Sequence, residues 1–172
     1  MLARHNRGYT LISILISFSL FFLIASLAIS HLKNLTNYAH ADVKKLSMTL
    51  LFLQQCALST GKKQILEFNQ AQNSYRYLDQ QVSLSNNVIF RAPPGAYGPP
   101  SHHEKKLIKP ISFDNSQVIL YPDGKMRPGA VYIADESVRW CYAVTVPVSH
   151  IYSIYTYFFN DTLGAWELMQ NQ

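Results

Sequence analysis

From Tyr9 to Ser30 the chain carries no charged residue, and no other feature of the sequence restricts the fold so tightly. The run is 22 residues long. As an α-helix rising about 1.5 Å per residue it covers roughly 33 Å, enough for a bilayer core of about 30 Å. Soluble helices of that length ordinarily keep a charged face. Arg4 and Arg7 precede the run, so it reads as a membrane helix with its basic end in the cytoplasm. A secretory signal is the rival. Its apolar region spans about 7–15 residues and ends in small residues at a cut. Ser26-Leu27-Ala28 or Ala39-His40-Ala41 would suit such a cut, but the run is long for a signal and the second site lies far beyond it.

The helix is expected to continue past the membrane. Apolar residues recur at Leu32, Leu35, Ala39, Val43, Leu46, Leu50, Leu53 and Ala57. Steps of three and four make a one-sided stripe on a helix. Lys33, Asn34, Asn37, His40, Lys44, Lys45 and Gln54 fall mostly off it. No Pro or Gly interrupts from Tyr9 to Thr60, and Gly61 then supplies a stop beside Lys62 and Lys63. The pattern predicts a single helix of about 50 residues, on the order of 75 Å. Half would be membrane-embedded and half would lay its stripe on a domain. A coiled coil would also use such a stripe, but the heptads are few.

Beyond Lys63 the signals are those of short strands. Gln64–Phe68 and Ser74–Leu78 flank a polar turn and read as a hairpin. Val88–Phe90 is a further strand. Residues 92–109 hold Pro93, Pro94, Gly95, Gly98, Pro99 and Pro100, then Lys105, Lys106 and Lys109, and read as a solvated surface loop. Val118–Tyr121 runs into the turn Pro122-Asp123-Gly124, with Ala130–Ala134 as the return strand. In Val138–Val146 the residues Val138, Trp140, Tyr142, Val144 and Val146 share one face and Arg139, Cys141, Ala143 and Thr145 the other. That alternation predicts one buried and one wet sheet face. Ile151–Phe159 and Ala165–Met169 complete an antiparallel meander. The expected fold class is α+β: a long N-terminal helix packed on an antiparallel β-sheet head.

The start of the uncharged run carries a further signal. Arg7-Gly8-Tyr9-Thr10-Leu11-Ile12, followed at once by the apolar stretch, resembles the processing site of type IV pilins and type II secretion pseudopilins. In that family a dedicated membrane peptidase cuts after the glycine, and the new N-terminal residue is N-methylated. The resemblance therefore implies a cut between Gly8 and Tyr9. It implies a leader at 1–8, a transmembrane half-helix at 9–31, an amphipathic half at 32–61 and a β-rich head at 62–172. The fifth mature position, usually glutamate, is Ser13 here. Phe113, the stretch Ile-Leu-Tyr-Pro-Asp-Gly and the stretch Gly-Ala-Val-Tyr-Ile look like the head of H-type minor pseudopilins and FimT-type minor pilins over roughly residues 40–145. The implied protein is a structural subunit of a type II secretion pseudopilus or pilus-like filament in the inner membrane. It would be single-pass, with its N-terminus cytoplasmic and its head periplasmic. Its partners would be other pseudopilin or pilin subunits, the prepilin peptidase, an inner-membrane assembly platform and membrane lipid. Type II secretion, type IV pili and DNA uptake share this subunit design.

The residues offer little chemistry to set beside that. No GxSxG, HExxH, GxxxxGKS or GxGxxG occurs, so neither enzyme nor cofactor is expected. His102-His103-Glu104 is the one metal-like cluster, but adjacent histidines in an extended loop point apart. Asp114, Asp123, Asp135 and Glu136 sit at turns, where they cap local backbone. Net charge falls from +5 to +3 if Arg4 and Arg7 leave with a leader. That is too little and too scattered for a nucleic-acid surface. The tyrosine-rich strands could stack sugars or bases, which leaves a membrane-anchored binding module as the alternative function. Cys56 and Cys141 form no metal motif, and whether they join as a disulfide stays open.

Overall fold

The computed structural model describes residues 6–35, 37–98 and 106–171, and divides into two compact units, Met1–Asn37 and Tyr38–Gln172. The first unit contains α1 (Asn6–Leu35). The second opens with α2 (Tyr38–Thr60). The expected single helix from Tyr9 to Thr60 is thus two helices, with Asn37 non-helical between them. The local sequence explains the break. Asn34-Leu35-Thr36-Asn37 holds three residues of modest helix propensity, and Asn37 stands just before α2, where asparagine is a favoured cap. Side chains of α1 are described from Ile12 to Leu27, fewer than the about 20 residues a span requires. Among the described residues no helix is long and apolar enough to cross a membrane.

In the second unit the stripe on α2 is the centre of the core. Ala39, Val43, Leu46, Leu50, Leu53 and Ala57 are all buried, while Lys44 and Lys45 are exposed. The earlier stripe positions, Leu32 and Leu35, have side chains outside the described set. Helix α2 ends where Gly61 takes φ +64°, a left-handed C-terminal position that glycine fills without strain.

Among the described residues nine strands follow in two antiparallel sheets. The first contains β1 (Gln64–Asn69), β2 (Ser74–Tyr77), β3 (Gln80–Ser83) and β5 (Gln117–Leu120), in the order β3-β2-β1-β5. The second contains β4 (Val88–Phe90), β6 (Gly129–Asp135), β7 (Cys141–Val146), β8 (Tyr155–Asn160) and β9 (Ala165–Asn171), in the order β4-β6-β7-β8-β9. α2 packs against β1 and β5 of one sheet and β6 and β7 of the other.

Three strand expectations need correction. Ala130–Ala134 is not the return partner of Val118–Tyr121. β5 pairs with β1, Ile119 opposite Ile65, whereas β6 pairs with β4 and β7. The Pro-Asp-Gly turn closes only a local bridge, Leu120 to Met126. Second, Val138, Arg139 and Trp140 are not strand. Val138 sits at φ +57°, and the Asp135 carboxylate accepts from the Trp140 N–H at 2.6 Å, which holds a tight turn. Third, β7 has no wet face, since all its residues from Cys141 to Val146 are buried. Tyr142 and Val144 face the main core, whereas Ala143 joins a second cluster with Ala130, Tyr132 and Tyr157, over which Ala92, Leu107 and Trp166 pack.

Part of the cover comes from residues 92–98 and 106–109, within the stretch expected as solvated loop. Tyr97 bridges Lys106, Leu107 donates its N–H to the Ala96 carbonyl at 3.0 Å, and the Trp166 indole donates to the Tyr97 carbonyl at 2.7 Å. The described parts of this segment form an arm laid across the outer face of the second sheet. Lys106, Ile108 and Lys109 stay exposed on it.

Replacing Leu46 or Leu50 by Ala should destabilise the second unit by about 2–5 kcal/mol, as expected for a fully buried leucine, whereas Lys44→Ala should change it by less than about 0.5 kcal/mol. Urea unfolding of a fragment starting near Asn34 measures both, and equal effects would remove the stripe assignment.

Candidate functional site

Gly8 and Tyr9, the residues of the expected cut, lie in the helical backbone of α1, and Ser13 lies one turn further on. Ser13 is exposed, and its carbonyl accepts the Ser17 hydroxyl at 2.9 Å. Ser19 donates likewise to the Leu15 carbonyl at 2.9 Å, and Ser26 to Leu23 at 3.2 Å. These local bonds satisfy the hydroxyls within the helix itself. Phe21, Phe22, Leu23 and Ile24 are each more than half exposed.

α2 carries a second apolar strip that the stripe argument missed. Met48 and Phe52 are 55% and 53% exposed on the side away from the core, whereas Leu58, 46% exposed, lies on the flank of the stripe beside Gly124. The signal was present in Met48-Thr49-Leu50-Leu51-Phe52-Leu53, a run too apolar for one face of a helix to hold. Two polar residues of α2 are buried for positioning. Gln54 donates from its amide to the carbonyls of Gly124 at 2.8 Å and Tyr152 at 3.1 Å, tying two loops to the helix. It was expected off the buried stripe, and the loops come to it. The Asp42 carboxylate accepts from the Ser85 N–H at 2.7 Å and the Ser85 hydroxyl at 3.0 Å, fixing the approach to β4. His40, also off the stripe, stacks on Tyr142 at 5.6 Å.

The metal-like cluster His102-His103-Glu104 lies outside the described residues, as does Lys105. Among the described residues no three metal-ligating side chains converge. Asp114, Asp123 and Asp135 do sit at turns as expected. Asp123 pairs with Lys125 at 2.7 Å, which holds its carboxyl below the usual range, and Asp114 lies 3.5 Å from Arg127. The aromatic strands make a row on the outer face of the second sheet. Tyr155 stacks with Tyr157, and Trp166 contacts Tyr132 and Phe159 at 5.5 and 5.0 Å. Tyr132 and Tyr157 are buried there, and burial pushes both phenols up. Ring faces tied up in these contacts are packing surface rather than a stacking platform.

Cys56 and Cys141 are both free. The Cys141 thiol is buried, donates to the Arg91 carbonyl at 3.6 Å, and is pushed up by desolvation and then by the nearby Asp135 charge. It is held as an unreactive thiol.

A cleft of about 680 Å³ opens between the arm and the ends of β6 and β7, with Thr145 among its lining residues. Thr145 is 2% exposed and its hydroxyl has no partner among the described residues. Such a group ordinarily costs about 1–3 kcal/mol.

No family model matches the chain, and no curated protein matches it. Among solved structures it is similar to the minor pseudopilin EpsH from the Type 2 Secretion System of Vibrio cholerae, at 10% identity and a TM-score of 0.49, over 77% of this chain and 97% of that one.

Maleimide labelling of the native protein should modify half-buried Cys56 and spare Cys141, and unfolding without reductant should expose both. Comparable native rates would contradict the burial of Cys141, and no labelling after unfolding would mean a disulfide.

Proposed function

We propose that the chain is a minor pseudopilin or minor pilin, a structural subunit of a type II secretion pseudopilus or related filament that takes part in protein secretion. A prepilin peptidase cuts between Gly8 and Tyr9, and Tyr9 is N-methylated. The uncharged helix anchors the subunit in the inner membrane, with the head in the periplasm. Neighbouring subunits and the assembly platform are its partners. What carries this reading is the order of features along one chain. Arg4, Arg7 and Gly8 precede the uncharged run, and a helix follows that buries its stripe on an antiparallel head. The outward pair Met48 and Phe52 gives α2 an apolar surface to offer a neighbouring subunit. The H-type assignment rests on the strand-turn stretches from Phe113 to Ile133 and is the finer part of the proposal.

Ser13 decides the abundance. A charged amine entering a filament core wants a carboxylate, because an unpaired charge in hydrocarbon costs several kcal/mol. The family's usual glutamate at this position supplies one. Ser13 carries only a hydroxyl, so a filament built of this chain alone would bury amines without partners. H-type pseudopilins usually keep the glutamate and tip subunits of another type lack it. A minor position at or near the tip fits Ser13, since no earlier subunit's amine has to be matched there.

Mass spectrometry of the mature N-terminus should find methylated Tyr9, and Gly8→Val should leave the precursor whole, because the peptidase needs close backbone approach at a residue without a side chain. An unchanged Met1, or a Gly8→Val chain still cut before Tyr9, would overturn the reading. In sheared filaments the protein should be far scarcer than the major subunit; quantitative peptide mass spectrometry giving near-equal amounts would exclude a minor role.

A further inference from the structure

The cleft beside the arm has features that packing alone does not explain. Its floor includes Tyr132 and the buried, unpartnered hydroxyl of Thr145. At its mouth Ile108 and Val148 are 89% and 67% exposed, two aliphatic side chains held in water. Lys106 and Lys109 line the same wall, and neither forms an ion pair among the described residues, whereas Asp114, the acidic residue of the lining, lies 3.5 Å from Arg127. The main chain is also open. The Leu107 N–H is taken by Ala96, and the Pro110 carbonyl accepts from the Tyr132 N–H at 2.8 Å. Between them the N–H and C=O groups of Ile108 and Lys109 have no hydrogen-bond partner among the described residues.

We propose that this cleft binds an extended, acidic segment of a partner protein. Carboxylates of the segment meet Lys106 and Lys109, and an apolar side chain lies between Ile108 and Val148. Its backbone pairs with residues 108–109, as an added strand does at an open edge, and one polar group reaches the Thr145 hydroxyl. Two unpaired lysines against one aspartate already paired with Arg127 favour an acidic segment over a basic one. A small inorganic anion would leave the aliphatic mouth unused, and a fatty acid would leave the open main-chain groups unpaired. The site belongs to the head alone and does not rest on the filament reading.

The test uses the full chain in detergent micelles and fluorescence anisotropy. The probes are a panel of fluorescein-labelled hexapeptides in which aspartates flank each aliphatic or aromatic residue in turn, with lysine-flanked counterparts. At least one acidic peptide should bind saturably at or below about 1 mM, and its basic counterpart should not. Lys106→Glu combined with Lys109→Glu should weaken binding about tenfold. Thr145→Val should weaken it about fivefold while leaving Tm unchanged or higher, because it removes an unpaired hydroxyl from the interior. Failure of every acidic peptide to bind, equal binding of both peptide sets, or affinity indifferent to these variants would overturn the proposal. So would laurate binding that responds to the variants when the peptides do not.

Discussion

The head is held together by one helix buried against two sheets. Leu46, Leu50 and Leu53 are fully buried on α2, and strands from both sheets pack against that helix. Each sheet alone is a small antiparallel ribbon with an open face. The helix supplies the apolar surface that both need, and a meander of such short strands has little independent stability without it. The polar contacts are arranged around the same axis. Gln54 ties the Gly124 and Tyr152 loops to the helix, and Asp42 ties down Ser85. Specific loop positions are therefore set by the helix rather than by the sheets.

The parts legible in the sequence are those set by local periodicity. The stripe from Ala39 to Ala57, the stop at Gly61, the β1–β2 hairpin and the existence of β4, β5, β8 and β9 follow from spacing and turn chemistry. Pairing did not follow. Pro122-Asp123-Gly124 is a strong turn signal, yet a turn fixes only where a chain reverses, and β5 and β6 leave it for different sheets. β3 went unseen because its turn is Leu78-Asp79 at φ +43° and +62°. A leucine there carries none of the Asn-Gly signal that such two-residue turns usually show. The alternation over Val138–Val146 misled in a different way. It is real as a pattern, but Asp135 captures the Trp140 amide and ends the pattern before β7 begins.

The same limit applied to the candidate sites. Gly8, Tyr9 and Ser13 could be proposed because the processing motif they resemble is contiguous in sequence. The cleft could not be named, since its residues come from the arm, β6, β7 and the turn after β7. Nothing in a basic, proline-rich stretch says that Leu107 will be packed on a sheet while Ile108, its neighbour, is left in water. That alternation needs the sheet beneath it.

The buried polar groups separate structure from function more sharply than burial alone. Asp42 and Gln54 are almost fully buried and each makes two hydrogen bonds, so both are accounted for by holding the fold together. Thr145 is buried as deeply and makes none with its hydroxyl, as is also true of Ser47 and Tyr75, but of these three it is Thr145 that lines the cleft. A valine would fill the same space without the desolvation loss of about 1–3 kcal/mol. β7 already uses valine at positions 144 and 146, so the strand tolerates it. A hydroxyl kept at a position that favours valine, on the floor of a cleft with unpaired lysines and open main chain at its wall, is placed where a partner's polar atom can pair with it.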